Sequence, residues 1–138
     1  MATEESRGVA RRYFEEFHNG RRDELLGELV APDLIAPTRQ ATDAVRRAFP
    51  DDRITIGAQV AEGERVATVW TLRGTHRGEW ASPAGPVAPT GRAVAFTGTT
   101  TLRVAGGQIA EVLGTTWDHL GLLQQLDALP GAGRRPGA

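Results

Sequence analysis

At Pro50 the chain changes its periodicity, and that change decides what it can fold into. Before it, apolar residues recur at three- and four-residue steps. After it come four segments rich in Val, Ile and Thr, "RITIGAQVA", "RVATVWTLRGTHRGEW", "RAVAFTGTTTLRV" and "QIAEVLGTTW", divided by turn residues. The tips "EGE" at 62–64 and "AGG" at 105–107 join neighbouring segments as antiparallel hairpins. Helices, then a run of antiparallel strands, then one closing helix make an α+β chain: a curved antiparallel sheet wrapped over N-terminal helices. A length of 138 residues suits a single domain. It is expected over residues 1–130, with 131–138 a disordered tail because that segment has no core-forming residues.

The first helix is expected at 4–19, where Val9, Ala10, Tyr13, Phe14 and Phe17 share a face and Gly20 supplies a stop. A second is expected at 22–30 around Leu25, Leu26 and Leu29, ended by "APD". A third begins at Asp43 or just before it, capped by Thr42 or Asp43, and stops before Pro50. The closing helix at 119–129 packs Leu122, Leu123, Leu126 and Leu129. Between two strands, 81–91 carries three prolines and two glycines and reads as a loop over the edge or mouth of the sheet.

Composition excludes several functions. Sixteen basic residues against seventeen acidic ones leave no basic stripe for nucleic acid. The absence of cysteine removes disulfides, thiolate metal sites and cysteine nucleophiles. His18, His76 and His119 follow no usual metal-ligand spacing, so no metal is expected. The charged start and the lack of a long apolar run predict a cytoplasmic protein without membrane contact.

Asp118 opens the closing helix, where an Asp is most often a cap worth about 1 kcal/mol, although a carboxylate at the end of a strand can also face a cavity. His76 in "GTHRG" is either a hydrogen-bonded structural residue or a pocket residue. On one strand Thr97, Thr99 and Thr101 share a face and Thr100 points the other way; either β-propensity or contact with a ligand accounts for the row. Trp70, Trp80 and Trp117 suit either core packing or the wall of a cavity for a flat aromatic ligand. Tyr13 and Phe17 read as core, with the Tyr13 hydroxyl able to enter a pocket. His119 is expected at the surface or rim.

Taken in order, "FHNGRRDEL" at 17–25, "FPD" at 49–51, "EGERVATVWTLRGTHRGEW" at 62–80, "PTGR" at 89–92, "LRVAGGQIAE" at 102–111 and "WDHLGLLQQLD" at 117–127 resemble the SnoaL-like polyketide cyclases, a branch of the nuclear-transport-factor-2-like fold. The resemblance implies a cone-shaped barrel with an apolar cavity, a homodimer, and a cofactor-independent cyclase acting on an aromatic polyketide intermediate of bacterial secondary metabolism. In that reading Asp118 is the acid/base of an intramolecular aldol closure, or of a dehydration or ketal-forming cyclisation, with His76 assisting. A non-catalytic binder of a small hydrophobic ligand, and an epoxide hydrolase or isomerase, are the alternatives that the same fold hosts. Two positions depart from the family pattern. Leu113 stands where relatives carry Trp, with Asp118 one residue late, and Pro37 stands where a polar residue is common. A bulge near Gly114 would turn Asp118 inward.

Overall fold

The computed structural model describes residues 2–128. Leu129 and the tail at 131–138 lie outside the described residues.

The chain opens with α1 (Ala2–Arg12), which runs on into a π-helix at Tyr13–Asn19 instead of continuing as the single α-helix expected at 4–19. In a π-helix each N–H reaches five residues back, so residues five apart, such as Tyr13 and His18, come onto one face. Gly20 closes this segment: its N–H bonds the Glu15 carbonyl at 3.1 Å, and a Cβ there would collide with the Glu16 carbonyl oxygen. The second expected helix is only a 3-10 turn (Asp23–Leu25) followed by α2 (Leu26–Leu29).

The third helix, α3 (Pro32–Ala48), is far longer than expected, and "APD" starts it rather than ending the one before. Pro32 sits at the first helical position, where an N–H would have no partner in any case. Pro37 lies inside the helix, one turn further on, and removes a single hydrogen bond near its start.

The main sheet is antiparallel in the order β1-β2-β5-β6, built from β1 (Arg53–Glu62), β2 (Arg65–Thr75), β5 (Ala93–Ala105) and β6 (Gln108–Trp117). Both expected hairpin tips are present, with Gly63 at φ 57° and the Gly106–Gly107 pair at φ 60° and 76°. Those left-handed angles suit a two-residue turn and favour glycine. The segment expected as a loop at 81–91 instead begins with a small hairpin, β3 (Trp80–Ser82) against β4 (Gly85–Val87). A two-stranded ribbon has two free edges, where prolines without an N–H are tolerated.

Even-numbered residues of β5 face inward: Val94, Phe96, Thr100, Leu102 and Val104 are all buried. Thr97, Thr99 and Thr101 therefore lie on the outer face, opposite in strand parity to Thr100. Two packed clusters line the inner face. One joins Phe17, Leu26, Leu29 and Val30 to Val66, Leu102 and Ile109. The other joins Phe14, Phe49 and Leu122 to Trp70, Leu72, Val94 and Phe96. α4 (His119–Gln125), shorter than the helix expected at 119–129, covers the second cluster through Leu122, joined by Leu126 just past its end.

Three bulges bend this sheet, at Gly57 on β1 and at Ala110 and Leu113 on β6. The Leu113 bulge adjoins Gly114, where an irregularity was expected. Alone it would bring Asp118 onto the inner face. The second, at Ala110, shifts the parity again: Ile109, Val112, Thr115 and Trp117 oppose the inward residues of β5, and Asp118 falls opposite Thr97 on the outer face.

Candidate functional site

Between the helices and the inner face lies a cavity of about 560 Å³, within the size range of small-molecule sites. One wall is aromatic, with Trp70, Trp80, Phe96 and Trp117 contributed by the sheet and β3. The π-helix supplies Tyr13, Phe14 and His18, and α3 the opposite wall, where Thr38, Thr42 and Ala44 face the space. Trp117 packs edge-on against Trp80 at 5.7 Å and lies 4.9 Å from Phe96. Gly98 makes that packing possible, since a Cβ there would come 2.5 Å from Trp70 and 2.7 Å from Trp117.

Polar groups on this surface are few. Trp70 Nε1 donates to Thr100 Oγ1 at 3.0 Å, which fixes the indole in the wall. Burial pushes the Tyr13 phenol above its ordinary pKa, partly opposed by Thr42 and Arg46, so the hydroxyl stays protonated as a hydrogen-bond donor. His18 brings an imidazole to the cavity and is buried. Its Nε2 lies 2.5 Å from Asp52 Oδ2, and Asp52 Oδ1 accepts from Arg21 Nη2 at 2.5 Å. The Asp52 side chain is wholly buried. Burial alone would raise its pKa, but the hydrogen bonds and charges of His18 and Arg21 outweigh burial and hold the carboxyl below its ordinary range. None of the described lining residues carries a carboxylate. Among the described residues no group of three or more His, Asp or Glu could hold a metal ion.

Of the residues singled out from sequence, Tyr13, Trp70, Trp80 and Trp117 are brought together around the cavity. Phe17 is not among its lining residues. It stacks on Tyr13 at 5.5 Å and is packed into the core beneath Arg46. Thr97, Thr99 and Thr101 are on the far side of the sheet, whereas Thr100, set apart from them by the same alternation, lines the cavity.

Asp118 is exposed and is not among the lining residues. Its Oδ1 accepts from the Gly121 N–H at 2.8 Å, capping α4. His119 beside it lays its ring on Trp117 at 3.4 Å. Replacing Asp118 with alanine is expected to lower stability by about 1 kcal/mol in a thermal melt, and asparagine, itself a good cap, to restore most of that.

His76 is fully buried but outside the cavity. Its Nδ1 accepts from the Thr90 N–H at 3.2 Å and lies 3.0 Å from the Thr90 hydroxyl. The imidazole packs on Phe49, and Phe49 on Trp80 and Phe96, so a layer of rings separates it from the cavity. Burial lowers the His76 pKa, partly offset by the Gly78 backbone. His18 and Asp52, 34 residues apart, escape sequence reasoning because nothing local links them. The visible signal is a polar residue beside Phe14 and Phe17 on an apolar helix face.

The sequence profile of the SnoaL-like polyketide cyclases matches residues 8–126. Among solved structures, the chain is 28% identical to IdmH of Streptomyces antibioticus, a proposed polyketide cyclase, over 88% of this chain and 98% of that one, with a TM-score of 0.76. It is 19% identical to a proposed SnoaL-like polyketide cyclase from Jannaschia sp. CCS1, over 94% and 96%, with a TM-score of 0.81. It is 24% identical to AclR of Streptomyces galilaeus, a proposed hydroxylase, over 93% and 88%, with a TM-score of 0.79. The last two likenesses establish a shared fold. A comparison with functionally curated proteins finds no match.

Proposed function

The chain belongs to the SnoaL-like polyketide cyclase family, and from that premise we propose that it closes a ring in an aromatic polyketide intermediate inside the cavity, by acid/base catalysis and without a cofactor. The observation that carries this reading is the cavity itself: a wall of four aromatic rings suited to a flat polycyclic ligand, with a small set of polar groups to orient it. Removing a proton next to a carbonyl calls for a base in a dry site, and the enolate so formed calls for a donor. The protonated Tyr13 hydroxyl suits the second task.

An acid/base role for Asp118, assisted by His76, would require each to reach the ligand from outside the cavity: Asp118 from a helix start, His76 from behind Phe49. Turnover is therefore expected to survive Asp118→Asn. Its loss with folding intact would return the chemistry to the helix start. Assembly as a homodimer through the outer face of the sheet belongs to the same proposal, supported by exposed Val69 amid a row of threonines.

The three tryptophans of the chain all line the cavity, so the total intrinsic fluorescence reports on it. A hydroxylated anthraquinone is expected to quench most of that emission and to saturate at one equivalent per chain. Weak, non-saturating quenching contradicts the proposal.

A further inference from the structure

We propose that His18 is the catalytic base of this cavity and Asp52 its positioning residue, an inference that rests on the function proposed above. Asp52 is a wholly buried, acceptor-only carboxylate whose ionised form is favoured by His18 and Arg21 over the opposing effect of burial, so the His18 Nε2 beside it carries a proton and donates it. In the neutral imidazole the remaining nitrogen, Nδ1, then has a free lone pair. Among the described residues Nδ1 has no hydrogen-bond partner. Nor is it one of the sealed unpartnered nitrogens, which are Arg46 Nε and His76 Nε2. His18 lines the cavity, and Nδ1 is assigned to that surface.

The surroundings hold this arrangement in place. Arg21 also donates to the His18 carbonyl at 2.8 Å and to the Pro50 carbonyl at 3.0 Å. Its own backbone is in the left-handed region, at φ 55°. A non-glycine residue in that conformation is uncommon and persists where its surroundings over-determine it. The neighbouring Asn19 side chain clamps both polar groups of the Ile54 backbone, at 2.7 and 2.8 Å, tying the end of the π-helix to β1 next to Asp52.

The step balances without a co-reactant. The Nδ1 lone pair takes a proton from a carbon flanked by two carbonyls, and the C–H pair becomes the enolate. The enolate carbon forms a C–C bond to a second carbonyl carbon, whose π pair moves to its oxygen. The imidazolium Nδ1–H then returns the proton to that alkoxide. Substrate and product are isomers, and His18 ends neutral. Throughout, Asp52 keeps the ring in one orientation and offsets the charge of the imidazolium.

The test is solvent-deuterium exchange at the acidic methylene of an aromatic β-keto ester, followed by NMR with the full chain, beside anthraquinone binding by tryptophan quenching. His18→Gln retains an N–H donor for Asp52, so it is expected to bind anthraquinone within about threefold of the parent while losing about 100-fold or more in exchange rate. Asp52→Asn is expected to keep binding, to lose less in rate, and to displace the acid limb of the pH profile. The charged groups facing His18 are Asp52, Arg21 and, through the His18 carbonyl, Arg46, and a merely structural role for Asp52 would leave that limb in place. Nitrogen-15 NMR of the unmutated chain is expected to show His18 as the Nε2–H tautomer; the opposite tautomer overturns the inference whether or not the variants fold. Exchange retained by His18→Gln, or binding by the parent without accelerated exchange, overturns the inference and leaves the cavity as a ligand site. Failure of the parent to bind overturns both readings.

Discussion

Asp52→Ala is expected to cost about 3 kcal/mol of stability, more than any other single truncation outside the apolar core. The carboxylate is fully buried and answers two partners at once, His18 on one oxygen and Arg21 on the other. Its removal leaves the His18 Nε2–H without an acceptor in the interior. It also leaves the Arg21 guanidinium with only the two carbonyls it already holds. A loss of that size corresponds to a fall of roughly 10 °C in melting temperature for a domain of this length. Asp52→Asn, which preserves an acceptor, is expected to fall less.

The pH dependence follows from the sign of the shift. Because the folded pKa of Asp52 is depressed, its contribution is complete above the ordinary carboxylate value, near pH 4, and is lost as pH falls through the lower folded value. A melting curve of Asp52→Asn should be flatter than the parent's in that acid range; identical slopes would mean that the pair contributes nothing to the acid transition.

The second large effect concerns binding. Ala44 lies on the α3 wall of the cavity and is half-buried. Ala44→Trp puts an indole into space that the ligand would fill. It is expected to weaken anthraquinone binding by at least about 100-fold, or about 2.8 kcal/mol, while leaving the melting temperature unchanged or higher, because the new ring buries apolar surface. A ligand that binds Ala44→Trp as tightly as the parent is not in this cavity.

Much of the fold is legible in the sequence because its signals are local. The two hairpin tips, the four long strands and the closing helix all announce themselves by periodicity and turn chemistry. α3 is misread because Pro32 and Pro37 look like breaks, although a proline at the first helical position is a start signal. Inward facing on β5 is also legible: Val94, Phe96, Leu102 and Val104 share even parity, which places Thr100 inside and the Thr97, Thr99, Thr101 row outside. The polar run "TGTTT" hides this, since threonine suits either face. Nothing in the sequence shows that two bulges on β6 cancel, and hence that Trp117 rather than Asp118 reaches the cavity. The His18–Asp52 contact is tertiary, and which of the adjacent acids Asp51 and Asp52 turns inward is settled by packing. Asp51 instead bonds the Thr75 N–H and hydroxyl at 2.7 Å each.

The most direct measurement is a crystal structure of the chain with a hydroxylated anthraquinone. The expected result places the ring system among Tyr13, Trp70 and Trp117, with one ligand oxygen within hydrogen-bond reach of His18 Nδ1. A ligand seated on the outer face beside Thr97 and Thr99, or at the helix start beside Asp118, would contradict the cavity as the site of chemistry.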